Sequence, residues 1–340
     1  MSGLLGVAKG WLAASGSVAI AARVNASSPA PFETRVRPFG QEAMEQACAI
    51  LDAGGCVAIP TETVYGLAAD ATNAEAVAGI YEAKGRPSFN PLIIHVGSMA
   101  QARRIGTFDA GAQALAETFW PGPLTIVVPR TASCPVATLA TAGLDTVALR
   151  HPAHPVMRAI LGDERALAAP SANVSGSVSP TKAAHVLATL DGRIPLVIDG
   201  GPCSEGLEST IVAPRADRLI LLRPGPITPD MLTAATGLPV ESDTSGKITA
   251  PGQIASHYAP GKPVLVDCTA PPAETFVIGF GPGECDYQLS ESANLSEAAA
   301  RLFDALHAGA TSAKPAIAIM PIPHEGLGLA INDRLKRAAA

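Results

Sequence analysis

The chain has 340 residues, enough for about two domains at roughly 150 residues each. Hydrophobic residues make up 48% and charged residues 16%, which supplies a packed core and excludes a disordered chain. A net charge of -6 with only 4% aromatic residues argues against a dedicated non-specific nucleic-acid binder and against a base-stacking platform.

The stretch from Trp11 to Ala22 is apolar and small, and it is too short to span a membrane. It loosely resembles the apolar part of a signal peptide. Yet Lys9 is the only positive side chain ahead of it, and a linker-like run from Asn25 to Pro31 follows. Residues 1–34 are expected to be a disordered N-terminal extension. Helical spacing of Met44, Cys48 and Leu51 predicts a helix over 41–53, stopped by Gly54-Gly55, and a strand over 56–59 that ends at Pro60. Then come a helix over 74–84, a strand over 92–96, a helix over 109–119, strands over 124–128 and 146–150, and a helix over 155–161. Further strands fall near Leu167 and over 196–198, 210–213 and 219–222, with a helix over 181–190 among them. This mixture without strict alternation predicts an α/β domain with a twisted mixed sheet over 35–236.

Residues 237–262 are rich in Gly, Pro, Ser and Thr and read as a linker. Strands over 264–266, 276–280 and 316–320, with helices over 296–307 and 327–338, predict a small second α/β domain over 263–340. None of the six cysteines forms a C-x-x-C pair, so no zinc ribbon and no metal site is expected, and reduced thiols of a cytoplasmic protein are the default reading.

Polar residues gather where strands end, the place where open α/β sheets bind ligands. Thr61, Glu62, Thr63 and Tyr65 follow the strand closed by Pro60. Lys84 and Arg86 flank Gly85, with Ser88 and Asn90 beyond, a set suited to a phosphate chain; the blander reading, a helix-capping Lys84, leaves Arg86 and Asn90 unexplained. His95 lies in an apolar strand, where a satisfied core histidine is the commoner case. Arg150 ends a strand and suits a small carboxylate or a surface ion pair. Ser171, Asn173 and Ser179 read as hydrogen-bond donors, because no nucleophile elbow surrounds Ser171. Ser209 and Arg223 sit at two further strand tips.

Taken together, Pro60-Thr-Glu-Thr-Val-Tyr-Gly-Leu67, Lys84-Gly-Arg86 with Ser88 and Asn90, Trp120-Pro-Gly-Pro-Leu-Thr125, Ala169-Pro-Ser-Ala-Asn173 and Gly206-Leu-Glu-Ser-Thr210 resemble the YrdC-type threonylcarbamoyl-AMP synthases. Ser256-His-Tyr-Ala-Pro260 and Gly328-Leu-Ala-Ile-Asn-Asp-Arg-Leu335 extend the likeness through the second domain, as in the long two-domain form. The resemblance implies a YrdC-like domain followed by a small Rossmann-like one. It also implies synthesis of threonylcarbamoyl-AMP and pyrophosphate from L-threonine, bicarbonate and ATP with Mg2+. The product would serve a tRNA threonylcarbamoyl-transfer complex, with tRNA itself held weakly at most. Carried over by motif, Thr63, His95, Arg150 and Ser209 hold threonine. Arg86, Asn90, Thr146, Ser171, Ser179, Arg223 and Tyr258 hold the nucleotide, Lys84 adds charge near the phosphates and is catalytic together with Arg86, and the 237–262 linker acts as a lid. The alternatives are a carbamoyltransferase of the hydrogenase-maturation kind, whose zinc-finger cysteine pairs are missing here, and a double-stranded RNA-binding module, which the net charge disfavours.

Overall fold

The structure, a computed structural model, describes residues 32–87, 90–243 and 257–340. In chain order the larger part runs β1 (Arg35–Pro38), α1 (Gln41–Asp52), β2 (Val57–Ile59), β3 (Gly66–Asp70), α2 (Ala74–Lys84), β4 (Ile93–His95), α3 (Met99–Ile105), α4 (Ala110–Phe119) and β5 (Leu124–Pro129). It continues through β6 (Thr146–Arg150), α5 (Pro155–Leu161), β7 (Leu167–Ala168), α6 (Ala183–Leu190), β8 (Leu196–Asp199), β9 (Thr210–Pro214), β10 (Leu219–Arg223), α7 (Pro229–Thr236) and β11 (Val240–Ser242). These strands form one mixed sheet in the order β1-β8-β2-β3-β7-β4-β6-β5-β9-β10-β11. Helix starts are set locally. Asn73 accepts backbone N–H bonds at the start of α2, and Ser98, Asp109 and Thr228 do the same for α3, α4 and α7, each worth about 1 kcal/mol.

Strand alternation decides what the sheet's two faces do. From β4, β6, β5 and β9, the residues Ile94, Val147, Leu149, Leu124, Ile126 and Val212 point into the main core, beneath α2, α3, α4, α6 and α7. On the opposite face, α1 and α5 cover β2, β3, β7 and β8 through Leu51, Met157 and Ile160. The other half of that face carries Ile93, Val127, Ala148, Ile211 and Ala213 in a cluster that contains no helical residue. That helix-free half is where the site lies.

The second part holds β12 (Val264–Leu265), β13 (Thr275–Gly279), β14 (Tyr287–Gln288), α8 (Leu295–Thr311), β15 (Ala316–Ile319) and α9 (Gly328–Ala338), with a parallel sheet in the order β12-β15-β13-β14. Its core takes in Val64, Val178 and Leu207 of the larger part, so the two share one apolar interface. Gly206 makes the approach close: its φ is +68°, and a Cβ there would stand 2.4 Å from Ala300 Cα on α8.

Three expectations change. The linker does not begin at 237, because β11 continues the large sheet by pairing with β10; the linker residues 244–256 lie outside the described residues. The extension ends earlier than residue 34: residues 1–31 lie outside the described residues, whereas Phe32 N donates to Gly192 O at 3.3 Å and Thr34 Oγ1 to Ile194 O at 2.6 Å. The sequence reading also missed β1, β3, α3, α7 and β14, all short or poorly periodic, and it ended α8 four residues early. Among the described residues no helix is long and apolar enough to cross a membrane.

Candidate active site

The strand register builds a site across a sheet face rather than at strand tips alone. β4 and β6 are parallel, with Ile93 beside Ala148 and His95 beside Arg150. Residues two apart share a face, so His95 and Arg150 mark one end of the open half. Thr146 lies two residues before Ala148 on β6. Thr146 and Arg150 project to the same face roughly 13 Å apart, at ~3.3 Å per residue.

At the Arg150 end, Arg150 is buried and each nitrogen of its guanidinium has one neighbour in the protein. Nη1 donates to Thr63 Oγ1 at 2.8 Å, Nε donates to Gly122 O at 3.3 Å, and Nη2 forms an ion pair with Glu62 at 2.7 Å. Thr61 spends its one hydroxyl proton on Val64 O at 2.7 Å, so Thr63 must donate to Thr61 and accept from Arg150. That fixes the Thr63 oxygen. Burial would raise the Glu62 carboxyl, but Arg150 brings it below its ordinary value, so the pair stays charged. His95 is buried with Nδ1 unpartnered among the described residues. Burial first, and then Arg150, push it down to about 3, so it faces the cavity as a neutral ring.

Ser209 lies just before β9, two residues ahead of Ile211, which pairs with Thr125 of β5. Its Oγ bonds Thr125 Oγ1 at 2.7 Å and accepts from Arg223 Nη2 at 3.1 Å. Arg223 also closes a fork on Ser209 O, with Nε at 3.0 Å and Nη2 at 2.8 Å. At the Thr146 end, Arg86 donates to Pro91 O at 3.2 Å, and its contacts to Asn90 O are long, at 3.5 Å. No carboxylate among the described residues pairs with Arg86 or Arg223. Burial lowers both to about 10. Two cations without a direct ion pair among the described residues suit an anion, although Glu208 acts on Arg223 through space.

Thr63, Arg86, His95, Arg150, Ser171, Ser209, Arg223 and Tyr258 line one cavity of about 50 Å³, together with Val64, Ile93, Ala169, Pro170, Glu208 and His257. Tyr258 is 1% exposed, at φ +66°, with its ring centroid 5.3 Å from that of Phe303. It is pinned on both sides: His257 N donates to Arg337 O at 3.2 Å, and Ala259 N donates to Gly176 O at 2.8 Å. Asn90, Thr146 and Ser179 are not in the lining. Asn90 is buried beside Arg86, Thr146 lies farther along the face, and Ser179 donates to Glu208 Oε1 at 2.5 Å just behind the wall. Ser88 lies outside the described residues.

Lys84 does not line the cavity. Its ammonium is not turned to the cavity but donates to the carbonyls of Ser171 and Asn173, so it ties the 169–173 loop to the end of α2. Burial, and then Arg86, hold it well below its ordinary value. Sequence reasoning passed over Glu208, His257 and the apolar floor of Ile93 and Ala148. The parity of β4 and β6 could have revealed that floor, because Ile93 and Ala148 are in step with His95 and Arg150.

Among the described residues no group of three or more His, Cys, Asp or Glu could hold a metal ion. The one carboxylate in the lining, Glu208, is committed to Arg334 at 2.9 Å. Among the described residues the donor set therefore does not fit a resident divalent ion.

Comparison with known proteins agrees with this geometry. Residues 49–225 match the Sua5/YciO/YrdC family, described as "Telomere recombination", and residues 227–340 match the threonylcarbamoyl-AMP synthase C-terminal domain. The threonylcarbamoyl-AMP synthase of Bacillus subtilis is 41% identical over 321 residues, covering 86% of this chain and 92% of the relative. The one from Pyrococcus abyssi is 38% identical over 317 residues, covering 86% and 93%. A crystal structure of P. abyssi Sua5 complexed with L-threonine superposes with a TM-score of 0.80 at 35% identity, over 90% of this chain and 97% of that one. With both domains matched in order along one chain, this protein belongs to the two-domain threonylcarbamoyl-AMP synthases, enzymes of the threonylcarbamoyl modification of tRNA.

Proposed function

We propose that this site joins L-threonine, bicarbonate (or CO2) and ATP in the following arrangement. Thr63, His95, Arg150 and Ser209 hold threonine at one end of the open face, with Arg150 taking the carboxylate. Arg86, Asn90, Thr146, Ser171, Ser179, Arg223 and Tyr258 hold the nucleotide, which runs toward Thr146 over Ile93 and Ala148. The threonine amine adds to the carbon of CO2 and loses a proton to water, giving a carbamate. A carbamate oxygen then attacks the α-phosphorus of ATP, and pyrophosphate leaves. With bicarbonate as the carbon source, one water is also released. Neither step needs a protein nucleophile. Both need alignment and stabilisation of negative charge, which Arg86 and Arg223 supply.

Mg2+ enters as part of the MgATP substrate, carried by the phosphates. Lys84 serves by fixing the loop that bears Ser171. The linker acts as a lid: a cavity of about 50 Å³ is far below the ~300 Å³ and more that small-molecule sites offer, so His257 and Tyr258 must swing aside to admit ATP. The adenylate passes to a tRNA-modifying transferase complex, and a cytoplasmic location suits an ATP-using enzyme with six free cysteines.

The observation that carries this reading is the pairing, on one open sheet face, of a carboxylate-type arginine in an ion pair with Glu62 and phosphate-type arginines that form no ion pair among the described residues. The test is to mix protein, MgATP, threonine and bicarbonate and to follow pyrophosphate and the adenylate by mass. Release should need threonine and bicarbonate together; equal ATP cleavage without threonine refutes it.

A further inference from the structure

Three elements of the second part converge on one spot in the first. Tyr258 lines the cavity, His307 of α8 lies 3.2 Å from Ser179 O through Nε2, and Arg334 of α9 reaches Glu208. Arg334 is wholly buried. Its Nε donates to Glu208 Oε2 at 2.9 Å, its Nη1 donates to Pro224 O at 2.7 Å, and its guanidinium carbon stands 5.7 Å from the Tyr258 ring centroid. The other oxygen of Glu208 takes the Ser179 hydroxyl at 2.5 Å. The next residue is Ser209, whose carbonyl receives the Arg223 fork. Thus one guanidinium on the last helix is linked through a single carboxylate to Ser179, and through one peptide to Ser209 and Arg223. Arg334 itself does not line the cavity.

We propose that Arg334 is a positioning residue for adenylate formation: by clamping Glu208 and Pro224 it sets the Ser179, Ser209 and Arg223 groups that grip the substrates. Docking alone does not account for it. The interface is already apolar through Val64, Val178 and Leu207, and a buried ion pair is a poor source of stability compared with hydrophobic residues of similar size. What a forked guanidinium adds is direction, because it holds a carboxylate and a carbonyl in one fixed relation. Burial would raise the Glu208 carboxyl, but Arg334 and then Arg223 bring it down to about 2, so the clamp stays charged at any working pH.

This inference rests on the substrate assignment above, and the experiment separates the two. Full-length wild type, R334K and R334Q are compared by pyrophosphate release with threonine and ATP varied separately, and each protein is melted alongside. R334Q, still folded at the assay temperature, should lose about tenfold to a hundredfold in kcat/KM for threonine, with kcat falling as well as KM rising, the signature of misplaced groups. R334K keeps a charge for Glu208 but cannot also reach Pro224 O, so it should recover only part of the loss. A folded R334Q within about twofold of wild type overturns the proposal. If R334Q does not fold, R334K decides on the same criterion. Full recovery of turnover in the E208Q/R334Q double variant, which neutralises both partners, also overturns it, since only docking survives that change. Failure of the substrate reading would instead show as wild type that releases no pyrophosphate in response to threonine.

Discussion

Replacing Arg86 with alanine should move stability and nucleotide affinity apart. Arg86 is half-buried, donates to Pro91 O at 3.2 Å and has no carboxylate partner among the described residues. Among the described residues its charge is therefore paired only with carbonyl dipoles. A buried cation without a counter-ion costs stability, so R86A removes a cost along with one modest hydrogen bond. The melting temperature should stay near wild type or rise slightly. Affinity for ATP should fall, because a hydrogen bond to a charged group is worth roughly 1.5–3 kcal/mol, or about tenfold to a hundredfold in Kd. Calorimetric titration with a non-hydrolysable ATP analogue, at two salt concentrations, measures this. The wild-type protein should show the steeper salt dependence, because it alone retains the phosphate contact. Unchanged affinity in a folded R86A would refute the phosphate assignment. A large loss of stability would refute the claim that its charge is uncompensated.

Y258A should keep threonine binding but make adenylate poorly, as read by pyrophosphate release beside threonine titration; unchanged turnover removes the lid role. G206A should lower the melting temperature by several degrees and slow turnover, because its Cβ would sit 2.4 Å from Ala300 Cα and push α8 off the 205–209 loop. K84M should destabilise, since the Ser171 and Asn173 carbonyls lose their donor at roughly 1–3 kcal/mol each; a wild-type melt would contradict the loop-tying role. His95 and His257 are pushed by burial to about 3 and about 4 from an ordinary 6.5, so the folded chain binds fewer protons than the unfolded chain between those values. Stability is therefore full above about pH 6.5 and falls as pH drops through that window. Glu208, lowered to about 2, adds a further loss below its ordinary 4.5. Denaturant melts at descending pH should show this slope, flattened in H95Q.

Much of the fold could be read from local pattern. Caps at Asn73 and Asp109 and the period-2 run of β6 depend only on near neighbours, and the helices over 41–53, 74–84 and 155–161 fell within a residue or two of their observed ends. The residue types of the site were legible for the same reason, because Arg, Ser and Thr at loop motifs carry their chemistry in the side chain itself. The sequence could not assign them partners. Lys84 and Arg86 are two residues apart, alike in charge, and they do different work because burial beneath the 169–173 loop spends one ammonium on carbonyls and leaves the other cation to the open face. Likewise β11 was invisible because a three-residue edge strand has no periodicity of its own and exists only through its pairing with β10. The widest gap is in Glu208 and Arg334, 126 positions apart along the chain and 2.9 Å apart in space. Nothing local marks either residue as the other's partner. That pairing is decided when α9 closes over the 205–209 loop, where burial makes an unpaired charge too costly to keep.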